Sequence, residues 1–146
     1  MKIKEVKSYY VSHNVNIDNS IPFNAPNKIF ELFNLLDLNP DTEIFKIFYF
    51  SNNLKLLGFN DYRCGGIAEC AVNIRDIIKY TILTGANNII LAHNHPSGNL
   101  EISKEDLNIT KKLNSACDIF NINLLDHIVI DCNSKQFKSF KELNIL

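Results

Sequence analysis

Two histidines and an aspartate carry the most specific chemistry in the chain. His93 and His95 lie at the end of a short apolar run, NIILAH from Asn88 to His93, and Asp106 follows His95 after ten intervening residues. Residues two apart on a strand point to the same face, so His93 and His95 present their imidazoles together. Pro96 and Gly98 then turn the chain sharply. Asp106, one turn into the following helix, can return a carboxylate to the same point. Two neutral imidazoles and one carboxylate are a common catalytic zinc set, with the fourth position left for water. Zinc (Zn2+) brings the pKa of that water to about 7, which points to hydrolysis and leaves a general base still to be found. A structural explanation competes: Ser103 and Asp106 have the S-x-x-[DE] spacing of a capping box, which alone accounts for an aspartate at N3. Both roles can hold together.

The elements that must position these residues are legible in outline. From Ala25 to Leu38, apolar residues at Ile29, Phe30, Phe33, Leu36 and Leu38 follow helical spacing, and Asn39-Pro40 ends the run. Glu43 to Ser51 is dense in aromatic and β-branched residues, Asn52-Asn53 makes a turn, and Leu54 to Phe59 returns as the second arm of a hairpin. A strand is expected from Ile67 to Val72, then a helix from Asn73 to about Thr84, with Asn73 as N-cap, Asp76 at N3 and Gly85 at C′. Asn88 to His93 is too short for a helix and reads as a buried strand. Ser103 to Phe120 is a further helix with amphipathic spacing, Leu124 to Ile130 a further strand, and Gln136 to Phe140 can pair with it. The order implies an α/β or α+β fold in which helices sandwich a sheet. Residues 1–24 read as a strand or arm ahead of a main domain at 25–146.

Composition narrows the function classes. The chain of 146 residues is 46% hydrophobic and 21% charged, with five Gly and four Pro, which fits one globular domain and excludes disordered and collagen-like chains. The longest apolar runs, Ile47 to Phe50 and Ile89 to Ala92, are four residues long, whereas a membrane span needs about twenty. The opening MKIKEVKSYY alternates charged and apolar residues without a signal-peptide core, so a cytoplasmic location is expected. Cys64, Cys70, Cys117 and Cys132 form no CxxC pair and are expected as buried thiols in a reducing compartment. Fifteen Lys+Arg against 16 Asp+Glu leave a net charge of −1. Nucleic acid as a partner is therefore unsupported by charge.

The run H-x-H-P-x6-S-x2-D, here His93, His95, Pro96, Ser103 and Asp106, resembles the signature of the JAMM (MPN-plus) metalloproteases. More narrowly, AHNHPSG, the S-x-x-D-x-x-x-T spacing of Ser103, Asp106 and Thr110, and LLDHIVI at Leu124 to Ile130 resemble the bacterial RadC family, over about Asp41 to Phe140. The resemblance implies a cytidine-deaminase-like JAB/MPN domain with a mixed central sheet flanked by helices. It implies zinc on His93, His95 and Asp106, and a general base just after the first helix, which here is Glu43. A glutamate at the start of an apolar strand is costly to bury unless something uses it, although a solvated strand end explains it as well. Ser103 would then donate to the oxyanion of the tetrahedral intermediate. A protein or peptide substrate, cleaved at a peptide or isopeptide amide, follows by similarity. The helix-hairpin-helix region of longer RadC proteins is not expected in a chain of this length.

Two departures from the RadC pattern, Ile102-Ser103 for Pro-Ser and Ile74-Arg75-Asp76 for Pro-Arg-Glu, touch the surroundings and leave the zinc ligands intact. Asp126 and His127 point to opposite faces of their strand, so at most one faces the site; His127 is either a partner behind the metal ligands or a buried structural histidine. The rival expectation follows the family's DNA-repair label: an accessory protein of repair, recombination or mobile elements, non-catalytic or acting on nucleic acid. Against it, Lys111-Lys112 and Lys135, Lys138 and Lys141 are balanced by nearby acids.

Overall fold

A computed structural model describes residues 23–36, 41–63 and 72–146. Three helices and five strands follow in the order α1 (Pro26–Leu36), β1 (Ile44–Phe50), β2 (Leu56–Arg63), α2 (Ile74–Thr84), β3 (Asn88–Asn94), α3 (Lys104–Ile119), β4 (Asn123–Asp131) and β5 (Gln136–Ser139). The sheet runs β2-β1-β3-β4-β5. β1 is antiparallel to β2 and to β3, β3 and β4 are parallel, and β5 returns antiparallel to β4. The mixed sheet with helices agrees with the α/β expectation.

Every residue of β1 and of β3 is buried. That is why both read as nearly continuous apolar runs: a strand at the centre of a sheet covered on both faces has no solvated side to alternate with. The period of two divides the core. Phe45, Ile47, Tyr49, Ile89 and Leu91 face α2 and α3 and pack with Ile77, Leu113 and Cys117. Phe48, Phe50, Ile90, Ala92, Ile128 and Ile130 face the other way, against Ile29, Leu32 and Phe33 of α1. The result is three layers, with the sheet in the middle.

Local signals set the helix limits. The Asn73 side chain accepts from the Arg75 N–H, and Gly85 ends α2 in the left-handed region at φ 69°, so both caps fall where the sequence expects them. Ser103 caps α3. The hairpin differs in its second arm, which begins at Leu56 and runs to Arg63 rather than ending at Phe59. The turn takes up Leu54 and Lys55: Leu54 adopts φ 55° and donates to the Ser51 carbonyl at 3.0 Å. Phe23 lies in the core, its ring 5.6 Å from that of Phe50 and its N–H 3.1 Å from the Leu54 carbonyl.

The arm before Phe23, the strand expected from Ile67, the Asn39-Pro40 stop, and Cys64 and Cys70 lie outside the described residues. Cys117 is a buried free thiol whose pKa burial pushes up to about 12, and Cys132 is half-buried. Among the described residues no helix is long and apolar enough to cross a membrane.

Candidate metal centre

The site forms where β3 runs out toward α3, at the carboxyl end of two parallel strands, the usual place for ligands in sheets of this kind. His93 is the last residue but one of β3, and the His95 N–H still donates to the Ile130 carbonyl of β4 at 2.9 Å. The pleat therefore continues past the strand, and both imidazoles fall on the face that carries α2 and α3, with ring centroids 4.8 Å apart. A turn follows in which the Gly98 N–H donates to the His95 carbonyl at 3.0 Å. Gly98 has φ +74°, a backbone conformation that glycine adopts without strain, so glycine suits this turn.

α3 then brings Asp106 back. Ser103 Oγ accepts from the Asp106 N–H at 3.0 Å, while Asp106 Oδ2 accepts from the Ser103 N–H at 3.0 Å and from its hydroxyl at 2.6 Å. This is a complete capping box, and it does more than cap. It fastens one carboxylate oxygen to the helix start and leaves Oδ1 turned to the histidines.

His93 Nε2 lies 3.0 Å from His95 Nε2 and 3.1 Å from Asp106 Oδ1, and His95 Nε2 lies 3.7 Å from Asp106 Oδ2. Ligand atoms each 2.0–2.1 Å from a tetrahedral centre lie about 3.3 Å apart, and the two short separations are close to that spacing. The chemistry of the donors agrees. The His95 Nδ1–H donates to the Asn99 carbonyl, which can only accept, so in the neutral ring the Nε2 lone pair is bare and directed inward. His93, His95 and Asp106 together could hold a metal ion, their ligand atoms lying within 4.8 Å of one another.

The electrostatics keep the set ready for a cation. His93 is fully buried, stacked on Phe45 at 4.3 Å, and that burial lowers its pKa below the ordinary imidazole value against the opposing pull of Asp106 and, least, Glu43. Burial works against the Asp106 carboxylate, but a protonated His93 ring, for which a bound cation can substitute, together with the Ser103 hydroxyl and amide outweighs it and holds the group well below the usual carboxylate range.

Glu43 stands directly before β1. Phe45 pairs with His93 in the antiparallel register, and Glu43, two residues before it, lies near enough for its charge to act on His93. Asn94 secures this segment. Between the two histidines it points sideways, accepting from the Ile44 N–H at 2.8 Å and donating to the Thr42 carbonyl at 3.0 Å. Glu43 is half-buried between the two anchors.

Of the two residues in the LLDHIVI run, His127 faces the site and Asp126 does not. His127 is fully buried, with Nε2 2.8 Å from His93 Nδ1 and Nδ1 2.6 Å from Thr110 Oγ1. Asp126 accepts instead from Ser139 Oγ at 2.6 Å and the Lys141 N–H at 3.0 Å, tying β4 to the C-terminal turn. Sequence reasoning passed over Asn94, Asn99 and the function of Thr110. Asn94 carries a usable signal, a polar residue between two ligands on a buried strand, and Thr110 stands one helical turn after Asp106; the Asn99 carbonyl leaves no mark in residue type.

Residues 23–145 match the RadC-like JAB domain. Among curated relatives, the chain is 30% identical to a UPF0758 protein of Acinetobacter baylyi over 130 residues, 89% of this chain and 48% of that one. It is 33% identical to one of Actinobacillus pleuropneumoniae over 139 residues, covering 95% and 61% of the two chains. A third, from Clostridium botulinum, is 36% identical over 125 residues, 86% of this chain and 54% of its own. The chain spans about half the length of the curated relatives it matches. The chain belongs to the RadC-like JAB domain family.

Proposed function

We propose that this member of the RadC-like JAB domain family is a zinc-dependent hydrolase of the JAMM type that cleaves a peptide or isopeptide bond. The observation that carries the reading is the convergence of His93 Nε2, His95 Nε2 and Asp106 Oδ1 on one point, with separations of 3.0 and 3.1 Å. His93, His95 and Asp106 would hold the zinc, which when bound would supply a water acidic enough to ionise near neutral pH and a Lewis acid for the scissile carbonyl.

The chain's own groups supply the proton transfers. Glu43, half-buried just before β1 and near enough to act on His93, takes the proton of the attacking water and returns it to the leaving amine. Ser103 has a double task. At rest its hydroxyl donates to Asp106 Oδ2 and steadies the ligand; rotation about χ1 turns the same proton toward the developing oxyanion. The half-length overlap with the relatives leaves the physiological substrate to be found by its chemistry, a protein or peptide amide.

The test pairs metal content with peptide cleavage. Zinc-loaded protein is incubated with a mixed peptide and isopeptide library and the products are read by mass spectrometry. His95→Ala and Asp106→Ala should lose zinc, and Glu43→Gln should keep zinc and lose cleavage by about 100-fold or more. Protein that takes up no zinc, with alanine variants that behave as the wild type, would refute the reading.

A further inference from the structure

His95 has its proton fixed by a carbonyl, but His93 does not. The Nδ1 of His93 meets another imidazole, and a pair of neutral imidazoles can share one proton in either direction. Only one direction leaves His93 Nε2 bare. What decides it lies one and two residues further back, on α3 and β4.

Thr110 Oγ1 is 2.6 Å from the Asp106 carbonyl oxygen and 2.6 Å from His127 Nδ1. A carbonyl oxygen has no proton to give. Two oxygens so close must share the hydroxyl proton of Thr110, which is thus spent on the carbonyl. Oγ1 then has only a lone pair for His127 Nδ1, so that nitrogen carries the proton of the neutral ring. His127 Nε2 is left as an acceptor, and at 2.8 Å it takes the proton that His93 carries on Nδ1. The remaining lone pair of His93, on Nε2, faces His95 and Asp106.

We infer that Thr110 and His127 are positioning residues that fix the tautomer of His93, a relay from the Asp106 carbonyl through a hydroxyl and a second imidazole to the metal-facing nitrogen. Both ends of the relay belong to the same site, since the carbonyl that orients the Thr110 proton is that of Asp106. His127 is held for this work by the Phe140 ring, stacked at 4.4 Å, and by burial that leaves it no water to bond instead. A metal-ligating histidine ordinarily donates its second N–H to a carboxylate, a carbonyl or water; here another histidine accepts, and a threonine sets that histidine's own proton.

The inference rests on the zinc reading for its purpose but not for its test. In the full chain stripped of metal with a chelator, ring-nitrogen chemical shifts report which nitrogen of each histidine is protonated. His93 and His127 should both be Nδ1–H tautomers. Thr110→Val removes the acceptor of the His127 proton; His127 and then His93 should shift toward Nε2–H, and zinc should bind about 10- to 100-fold more weakly. Thr110→Ser should restore both readouts, which a packing role alone would not do. A wild-type His93 protonated on Nε2, or a folded Thr110→Val with tautomers and zinc affinity unchanged, would overturn the relay. If zinc binds to no form of the protein, the hydrolase reading falls, while the tautomers of the stripped chain still decide the relay. They also decide it if Thr110→Val does not fold.

Discussion

Lys46 and His93 are both fully buried on the central strands, and they lie on opposite faces of the sheet. On the α1 side the Lys46 ammonium sits 2.8 Å from Asp61, which is a quarter exposed, and 5.4 Å from each of the Phe33 and Phe59 ring centroids. This cluster brings its own counter-charge. On the other face, lone pairs of two imidazoles and a carboxylate oxygen converge, with hydroxyls, carbonyls and a further histidine arranged behind them to keep them so. Burying polar groups is costly unless they are satisfied. Lys46 and Asp61 answer that cost within the fold, whereas the histidine cluster could be completed by a cation from outside. The first arrangement supports the structure and the second makes a site.

The contrast predicts effects of opposite kind. Asp106→Ala should reduce zinc binding by more than the about 100-fold that loss of a residue behind the ligands produces. Asp61→Ala strands a buried ammonium and should destabilise the fold by about 3 kcal/mol, the low end for a buried pair because Asp61 is partly exposed, with zinc stoichiometry unchanged. The double variant Lys46→Met with Asp61→Asn, which removes both charges and keeps the shape, should be close to neutral in chemical denaturation. If Asp61→Ala lost zinc while Asp106→Ala kept it, the division of the two faces would be wrong.

An acid titration sharpens the same contrast. Burial lowers the pKa of His127 well below the ordinary 6.5, with neighbouring His93 adding to it, and burial lowers that of His93 as well. Below about pH 6.5 the unfolded chain therefore takes up protons that the folded chain refuses. Stability of the metal-free protein should fall as the pH drops through this window, by at most about 1.4 kcal/mol per pH unit for each histidine kept neutral. His127→Phe should show a shallower slope in denaturant melts between about pH 7.5 and pH 5.5; an unchanged slope would show that His127 is not held neutral. Ser103→Ala, which removes the cap hydroxyl, should have a smaller effect than loss of a ligand: about 1 kcal/mol of stability and about a tenfold loss of zinc affinity from a less well oriented Asp106. Equal affinity for the two forms would limit Ser103 to capping.

Much of this was readable in the residue string, for identifiable reasons. β1 and β3 are buried on both faces and so are apolar throughout, and α2 carries its start and stop in Asn73 and Gly85. The shared face of His93 and His95 follows from the strand period alone. Asp106 was readable twice, as cap and as ligand, and the capping box shows why the two do not compete: one oxygen serves each purpose.

What stayed hidden depends on contacts made across the sheet. β2 extends to Arg63 through a mixed sequence because pairing with β1 holds it, Lys46 opposite Asp61 included. Asn94 reaches Ile44 and Thr42 across 50 and 52 residues, and His127 meets His93 across 34. Strand parity narrowed His127 to two roles; only the parallel pairing of β3 with β4 brings it behind His93.

The most direct test of the central claim is a zinc titration of the chelator-stripped protein, with bound metal counted per chain. One zinc per chain is expected in the wild type and in Glu43→Gln, and none in Asp106→Ala. A wild type that binds no zinc, or an Asp106→Ala variant that binds it as tightly as the wild type, would contradict that claim.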